Sequence, residues 1–392
     1  MVLAFVIPIH MRSVPILIAL FVILNLVDGF INRTFIFSHK RIVIAGVLFY
    51  LIHLISVFYS EDKDAAWFDM EVKFSLFLFP LIFLFKNPFI IERKKWVLIS
   101  FVIGTIVSSL IMLIFAYTQF DGENTQVFYR TQLSLFHPSY LSMHFIFAIL
   151  IIIKIMVQDL KMLKHRIFAY LTILFLLVLI SQLQSKAGII SIIIISFYYL
   201  VFAFIRSNIL QLRISFFVLA VSLSLIFVQD NSKFKEMIVS VEKNSEGSQT
   251  TGSSGTRISI WKVATKEIKE YWLIGVGAGD IKHVLVEGYK KEGLTNAIDK
   301  RFNVHSQYLE TLLGQGIIGL SILLYLLFLG VQLAIKRKNL FLSGFILLII
   351  LSMAPESMLN IQVGVVFMTF FYYFLFTFDI PNSPTDKTKI FP

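Results

Sequence analysis

The stretch "NVHSQYLETLLGQGIIGL", Asn303 to Leu320, runs without a break into "SILLYLLFLGVQLAI" and ends at Lys336, Arg337 and Lys338. Residues 315–335 form one apolar run. A helix rises ~1.5 Å per residue, so a run of this length crosses the ~30 Å hydrocarbon core of a bilayer. Basic residues close one end, while a histidine and a glutamate stand before the other. This is the pattern of a membrane span with a polar mouth.

The same pattern recurs along the whole chain of 392 residues, which is 57% hydrophobic and only 15% charged. Its mean hydropathy of +0.81 is above the range of soluble domains. Eleven spans are expected, at roughly 14–31, 42–59, 67–86, 96–118, 139–157, 167–183, 188–205, 214–229, 315–335, 340–354 and 362–379. Residues 1–9 are apolar but rise only ~13 Å as a helix, which suits a short or half-inserted element. The expected fold is an all-α polytopic membrane protein of about 11–12 transmembrane helices. Its parts are residues 1–229, a large and partly helical loop at 230–314, and closing spans with a short tail at 315–392. The start runs straight into a full-length span, so no cleavable leader is expected. With no cysteine, disulfides, thiolate nucleophiles and Cys-ligated metals are excluded.

Orientation follows from lysine and arginine in the connections. One alternate set of loops, from "NRTFIFSHKR" to the tail "DKTK", carries 18 basic residues. The opposite short connections carry five, namely Arg12, Lys63, Lys73, Arg130 and Lys186, and the long loop holds the other 12. The basic loops and the C-terminus are therefore expected on the cytoplasmic side. The net charge of +11 then reflects topology and attraction to anionic membrane lipid, not a nucleic-acid partner.

That orientation gathers "FYRTQLSLFHPSY", "SQLQSKAG", the long loop and "APESMLNIQ" on the outer face. The first part of the loop, "KNSEGSQTTGSSGT", reads as a connector. Order should return where Ile260, Trp261, Ala264, Ile268 and Tyr271 recur at helical spacing. The glycines of "IGVGAGD" lack the strand and lysine of a phosphate-binding loop, so a tight turn back to the membrane is the simpler reading. Asn303 is a candidate cap for the helix that follows.

In order, "SGTRISIWKVATKEIKEYWLIGVGAGD", "VHSQYLETLLGQGIIGL" and a further pair of spans resemble the O-antigen ligase and polymerase family of bacterial envelope glycosyltransferases. The resemblance covers roughly residues 125–380. It implies a GT-C-like enzyme of the bacterial inner membrane with its active face in the periplasm. Such an enzyme takes a glycan from undecaprenyl diphosphate and passes it to lipid A-core or another glycan acceptor. It also implies that Arg257 holds the diphosphate and His305 helps to activate the acceptor hydroxyl. The family's second arginine falls on Lys186. That is a departure, because lysine supplies charge without the bidentate fork.

The chemistry asks for the same residue types. Negative charge builds on the leaving diphosphate, and Arg or Lys stabilises it without a metal or other cofactor. An acceptor hydroxyl calls for a base of the imidazole type. Arg257 and His305 are thus the catalytic candidates, with Lys186, Arg130, His137, Glu356 and Glu310 as substrate-binding candidates and no metal ligand. Each has a plainer reading: a helix cap for Arg257, a helix-start polar residue for His305, a snorkelling span-end lysine for Lys186, and a mark of span entry for His137 before Pro138. Glu310, five residues after His305, is off its helix face, so a direct pair between them is not expected. Glu356 between two spans calls for a wet cavity or a cation. The competing class, a secondary transporter, predicts related halves and mid-span charges. No internal repeat is evident, and Glu71 and Lys73 are the main charges inside spans.

Overall fold

The computed structural model describes residues 1–32, 40–84, 88–129, 133–158, 162–228 and 253–377. Among them are sixteen α-helices and no strand. The first ten are α1 (Val2–Val6), α2 (Val14–Asn32), α3 (Lys40–Tyr59), α4 (Lys63–Lys73), α5 (Ser75–Phe83), α6 (Pro88–Thr118), α7 (Pro138–Gln158), α8 (Leu163–Gln182), α9 (Lys186–Ile205) and α10 (Ile209–Val228). The loop supplies α11 (Ser253–Tyr271), α12 (Ile281–Lys291) and α13 (Thr295–Lys300). The chain closes with α14 (Gln307–Lys336), α15 (Leu340–Met353) and α16 (Gln362–Thr377).

Among the described residues, seven helices are long and apolar enough to cross a membrane, and three shorter apolar ones lie at Ile209–Leu225, Leu340–Met353 and Gln362–Phe376. The protein is thus an all-α, multi-pass membrane protein. The third expected span, 67–86, is instead two pieces, α4 and α5, that meet at Phe74. Its polar half explains the break: Lys73 is buried against Asp69 one turn earlier, and α4 lacks an apolar belt. The apolar start forms α1, packed so closely that a Cβ on Gly104 would meet the Phe5 carbonyl at 2.1 Å.

The centre of the bundle is α7, whose residues from Leu141 to Leu150 are all buried. Around it Phe101, Phe147, Phe345, Phe367 and Phe371 interlock, with Phe147 and Phe371 4.7 Å apart and Phe101 and Phe371 4.8 Å apart. In lipid, where the tails are as apolar as leucine, such interdigitation holds helices together in place of the hydrophobic effect. Many of the chain's phenylalanines serve this core.

The loop helices build a second small core from Ile260, Val263, Ala264, Ile268, Leu285, Tyr289 and Val304. Of the expected stripe, Tyr271 departs and faces outward, 42% exposed. The glycine turn after α11 docks between α3 and α14. Gly275, Gly277 and Gly316 have positive φ, and Val276 and Gly277 donate to the carbonyls of Leu313 and Gly314. Ala278 and Gly279 donate to Ser56 and Ser60, while Asp280 accepts from the amides of Glu61 and Asp62. The turn reading holds, and these amides are committed to the protein rather than to a phosphate.

Candidate functional site

At 30 residues, α14 rises ~45 Å, so about a third of it exceeds the hydrocarbon core. The excess stands at the end away from Lys336. Where it begins, Gly316 adopts φ 63° and ψ −165°, a conformation open essentially to glycine alone. The helix kinks there, and the Ile317 amide takes the Trp272 carbonyl at 2.8 Å. A Cβ at Gly316 would lie 2.2 Å from the Leu273 carbonyl oxygen. Gly316 therefore sits hard against the loop turn at Leu273 and Ile274. Gly319 in turn faces Gln315 and Thr311 of its own helix.

His305 sits two residues before α14, at φ 52°. Asn303 does not cap the helix; Ser306 stands at the N-cap, and Asn303 Oδ1 accepts from the His305 amide at 3.1 Å. That local bond helps to hold His305 in a left-handed conformation that side chains rarely adopt. Its ring lies edge-on to Phe302, 5.4 Å away.

Three segments converge on Glu356. Arg257, one turn into α11, donates from an Nη to Oε1 at 2.6 Å, and Ser139 Oγ donates to the same oxygen at 2.9 Å. His305 Nδ1 lies 3.7 Å from Oε2. That is an ion-pair distance and too long for a hydrogen bond. His305 Nδ1 is buried and has no hydrogen-bond partner among the described residues. The carboxylate is 8% exposed, the guanidinium side chain 26% and the imidazole 20%. Glu356, a carboxylate between two spans that calls for a wet cavity or a cation, has Arg257 as its cation.

Glu310 lies beneath, buried, and does not pair with His305, as its position in the sequence suggested. It accepts from the Val304 amide at 3.1 Å, from Ser357 Oγ at 2.9 Å and from Asn360 Nδ2 at 2.6 Å. Val304 adjoins His305 and Ser357 adjoins Glu356, so one carboxylate ties together the two segments that meet above it. Gln307 adds two ties, from its amide to the Glu356 carbonyl and from its Oε1 to the Leu359 amide. Trp261 Nε1 donates to the Val304 carbonyl at 2.9 Å, which locks α11, and with it Arg257, to the histidine segment.

Lys186 opens α9 beside Ser185, whose Oγ caps the helix at Gly188 and touches Ser139 Oγ at 3.5 Å. It is thus one residue from the network. His137 precedes α7, close enough to Glu356, Arg257 and His305 to feel their charges. Arg130 and most of the loop's connector, up to residue 252, lie outside the described residues, as does the tail from 378. Sequence reasoning missed Ser139, Ser185, Gln307, Ser357 and Asn360. Each lies inside or beside a segment singled out for the outer face, but uncharged hydrogen-bonders carry no individual signal.

Burial alone would raise the Glu356 carboxyl's pKa. The His305 contact and the Arg257 and His137 charges outweigh it and hold the group below its ordinary value of 4.5. Burial lowers the His137 imidazole, and Arg257 adds to the effect although Glu356 opposes it. The consequence for Glu356 has a definite sign. A carboxylate whose folded pKa lies below its unfolded one adds stability above the unfolded value and loses it as pH falls through the folded value. Wild type should therefore melt higher than Glu356→Gln at neutral pH, with the gap closing below about pH 4.5. A gap that widened on acidification would mean that the carboxylate is not stabilised by its neighbours.

No curated protein matches this sequence. The family model described as O-antigen ligase does match, over a segment that holds Lys186, Arg257, His305 and Glu310 but not His137 or Glu356. That match, over residues 168–324, supports kinship of the chain with the O-antigen ligase and polymerase family.

Proposed function

We propose that the chain transfers a glycan from undecaprenyl diphosphate to a lipid A-core-type acceptor, at the end of the bundle that holds His305. In this reading that end faces the periplasm from the inner membrane, in a GT-C-like arrangement. One observation carries it: a guanidinium and an imidazole from separate segments meet on one buried carboxylate, where a transfer needs an anion holder beside a base. The bond from the sugar's anomeric carbon to the diphosphate oxygen breaks, and a bond from that carbon to the acceptor oxygen forms. The electron pair leaves with the diphosphate, facing Arg257 and Lys186, and the acceptor proton passes to His305.

Glu356 has two parts in this scheme. It aims the guanidinium while leaving most of its five N–H donors for the diphosphate. It also faces His305 Nδ1, so that Nδ1–H turned toward the carboxylate leaves Nε2 as the basic nitrogen. In this scheme Glu310 positions both segments rather than touching substrate. His137 and Arg130 remain proposed substrate contacts. The cations carry the anion, so turnover should survive EDTA.

Deleting the gene and resolving envelope glycans on a gel tests the reading. Full-length polymer left on the carrier identifies a ligase. Single repeats on the acceptor identify a polymerase, which uses the same donor. Unchanged envelope glycans would overturn both. The orientation has its own test in this cysteine-free chain: an impermeant maleimide on intact spheroplasts should label a cysteine placed at residue 250 but not one at residue 337. The reverse pattern would invert the topology.

A further inference from the structure

At the end of the bundle opposite His305, one helix end and two helix–helix junctions line a cavity of about 150 Å³. Its walls come from the last turn of α7, the α9–α10 junction and the α14–α15 junction. Ile153, Val157, Phe202, Leu340 and Phe341 form its apolar side. Lys154, Arg206 and Lys338 bring three cations to it, and among the described residues none that lines it is a carboxylate. Gln158, Asn208, Gln211 and Asn339 add amide groups.

A single lysine or arginine just after a helix is an ordinary companion of the negative helix end. Here the C-terminal turns of α7, α9 and α14 each contribute one, and all three border the same space. Two of the cations are held by aromatic faces: Lys154 Nζ lies 4.9 Å from the centre of the Phe341 ring, and the Arg206 guanidinium 4.3 Å from that of Phe202. Two long helices also begin here, α10 and α15. Asn208 Oδ1 accepts from the Gln211 amide, and Asn339 Oδ1 from those of Phe341 and Leu342. The positive ends of both helix dipoles therefore point the same way as the cations. A water occupies ~30 Å³ of liquid, so the space holds roughly five waters, enough for a phosphate group with part of a glycerol.

We propose that this cavity binds a phosphate-bearing anion, presented either as the headgroup of an anionic membrane lipid or as free phosphate. The apolar wall beside the cations suits the lipid form. Basic clefts between membrane helices recognise anionic headgroups by this combination of charge and shape. The site is remote from Glu356 and does not depend on the transfer chemistry.

The test uses the full chain, purified in a neutral detergent and stripped of lipid. Native mass spectrometry would follow binding of phosphatidylglycerol and of phosphatidylethanolamine. Wild type should prefer phosphatidylglycerol. Each cation near such a surface is worth about 1 kcal/mol, or roughly fivefold, so Arg206→Ala combined with Lys338→Ala should weaken that binding roughly 25-fold. Both side chains are exposed, so the variant should keep its fold, and its melting temperature checks this. Lys95→Ala combined with Lys164→Ala removes two exposed cations from the same end and should leave the preference intact. A second arm titrates inorganic phosphate alone. Competition by millimolar phosphate assigns the site to the phosphate group itself, and lipid binding that phosphate does not disturb assigns it to the headgroup. Equal binding of the two lipids by wild type would overturn the proposal. So would a preference that survives the Arg206/Lys338 variant, or equal losses in both pairs.

Discussion

Arg257→Ala should abolish glycan transfer while the protein still accumulates in the membrane. Removing one preorganised donor to developing negative charge typically costs ~10²–10³ in rate, and here the donor is a full charge facing a diphosphate. The same substitution strips Glu356 of its cation and leaves a buried carboxylate with the Ser139 hydroxyl and imidazoles as its remaining partners. Loss of activity alone would therefore not separate anion binding from local collapse. The double variant Arg257→Ala, Glu356→Gln does separate them, because it removes the stranded charge and keeps the side-chain volume. It should regain wild-type-like melting at neutral pH and stay inactive. Recovery of transfer in the double variant would reduce Arg257 to a structural partner of Glu356, with Arg130 the next candidate for the diphosphate. Arg257→Lys should rescue only in part, since an ammonium cannot contact Glu356 and a diphosphate through one planar fork. Lys186→Arg should be tolerated or gain activity, because it restores the family's residue at that position.

What the sequence disclosed follows from how each feature is written in it. Apolar runs of membrane length have little choice of structure, because every backbone group in lipid must find its partner inside the helix. Ten of the eleven expected spans are accordingly single helices. The exception, 67–86, failed where a window average hid a local fact: Lys73 is buried and paired with Asp69 one helical turn earlier, while Lys63, Asp64 and Glu71 of the same helix are exposed, so the first half is a polar-faced helix of its own. The neighbour of Gly316 is likewise unwritten in the local sequence. Nothing in "GQGIIG" says that the Trp272–Ile274 turn, more than forty residues earlier, would dock there.

The site was legible to the same degree. Charged residues stand out in an oily chain, because each needs a reason to be near lipid. Arg257, His305 and Glu356 could thus be named as individuals. Their meeting could not, since it depends on Trp261 holding Val304 and on Glu310 joining the segments of His305 and Glu356. The role of Glu310 shows the limit. Its charge marked it, but its off-face position relative to His305 says only what it does not touch. Its partners, a backbone amide, a serine and an asparagine, are the kind of group that sequence patterns do not single out.

His305→Ala should lower the transfer rate by about 10²–10⁴-fold, the usual worth of a positioned general base, and leave carrier binding intact. Alanine is a poor control for this residue, however. Histidine tolerates the φ 52° backbone at 305 better than alanine does, so His305→Ala also disturbs the turn that presents the side chain. Two other replacements isolate the chemistry. Asparagine tolerates this conformation better than most residues, so His305→Asn should keep the turn and lose the base. Glycine adopts it freely, so His305→Gly should keep the turn and leave a space edge-on to Phe302, beside Glu356 Oε2. Imidazole added to the glycine variant should then restore part of the rate, with Glu356 as its orienting partner. His305→Gly, Glu356→Gln should respond less to the same imidazole. The chemistry also offers an opposing case: a sugar diphosphate has a good leaving group, and a transfer with an early bond break has little need of a base. Near-normal turnover by purified His305→Asn would establish that case and leave His305 as the residue that shapes the start of α14.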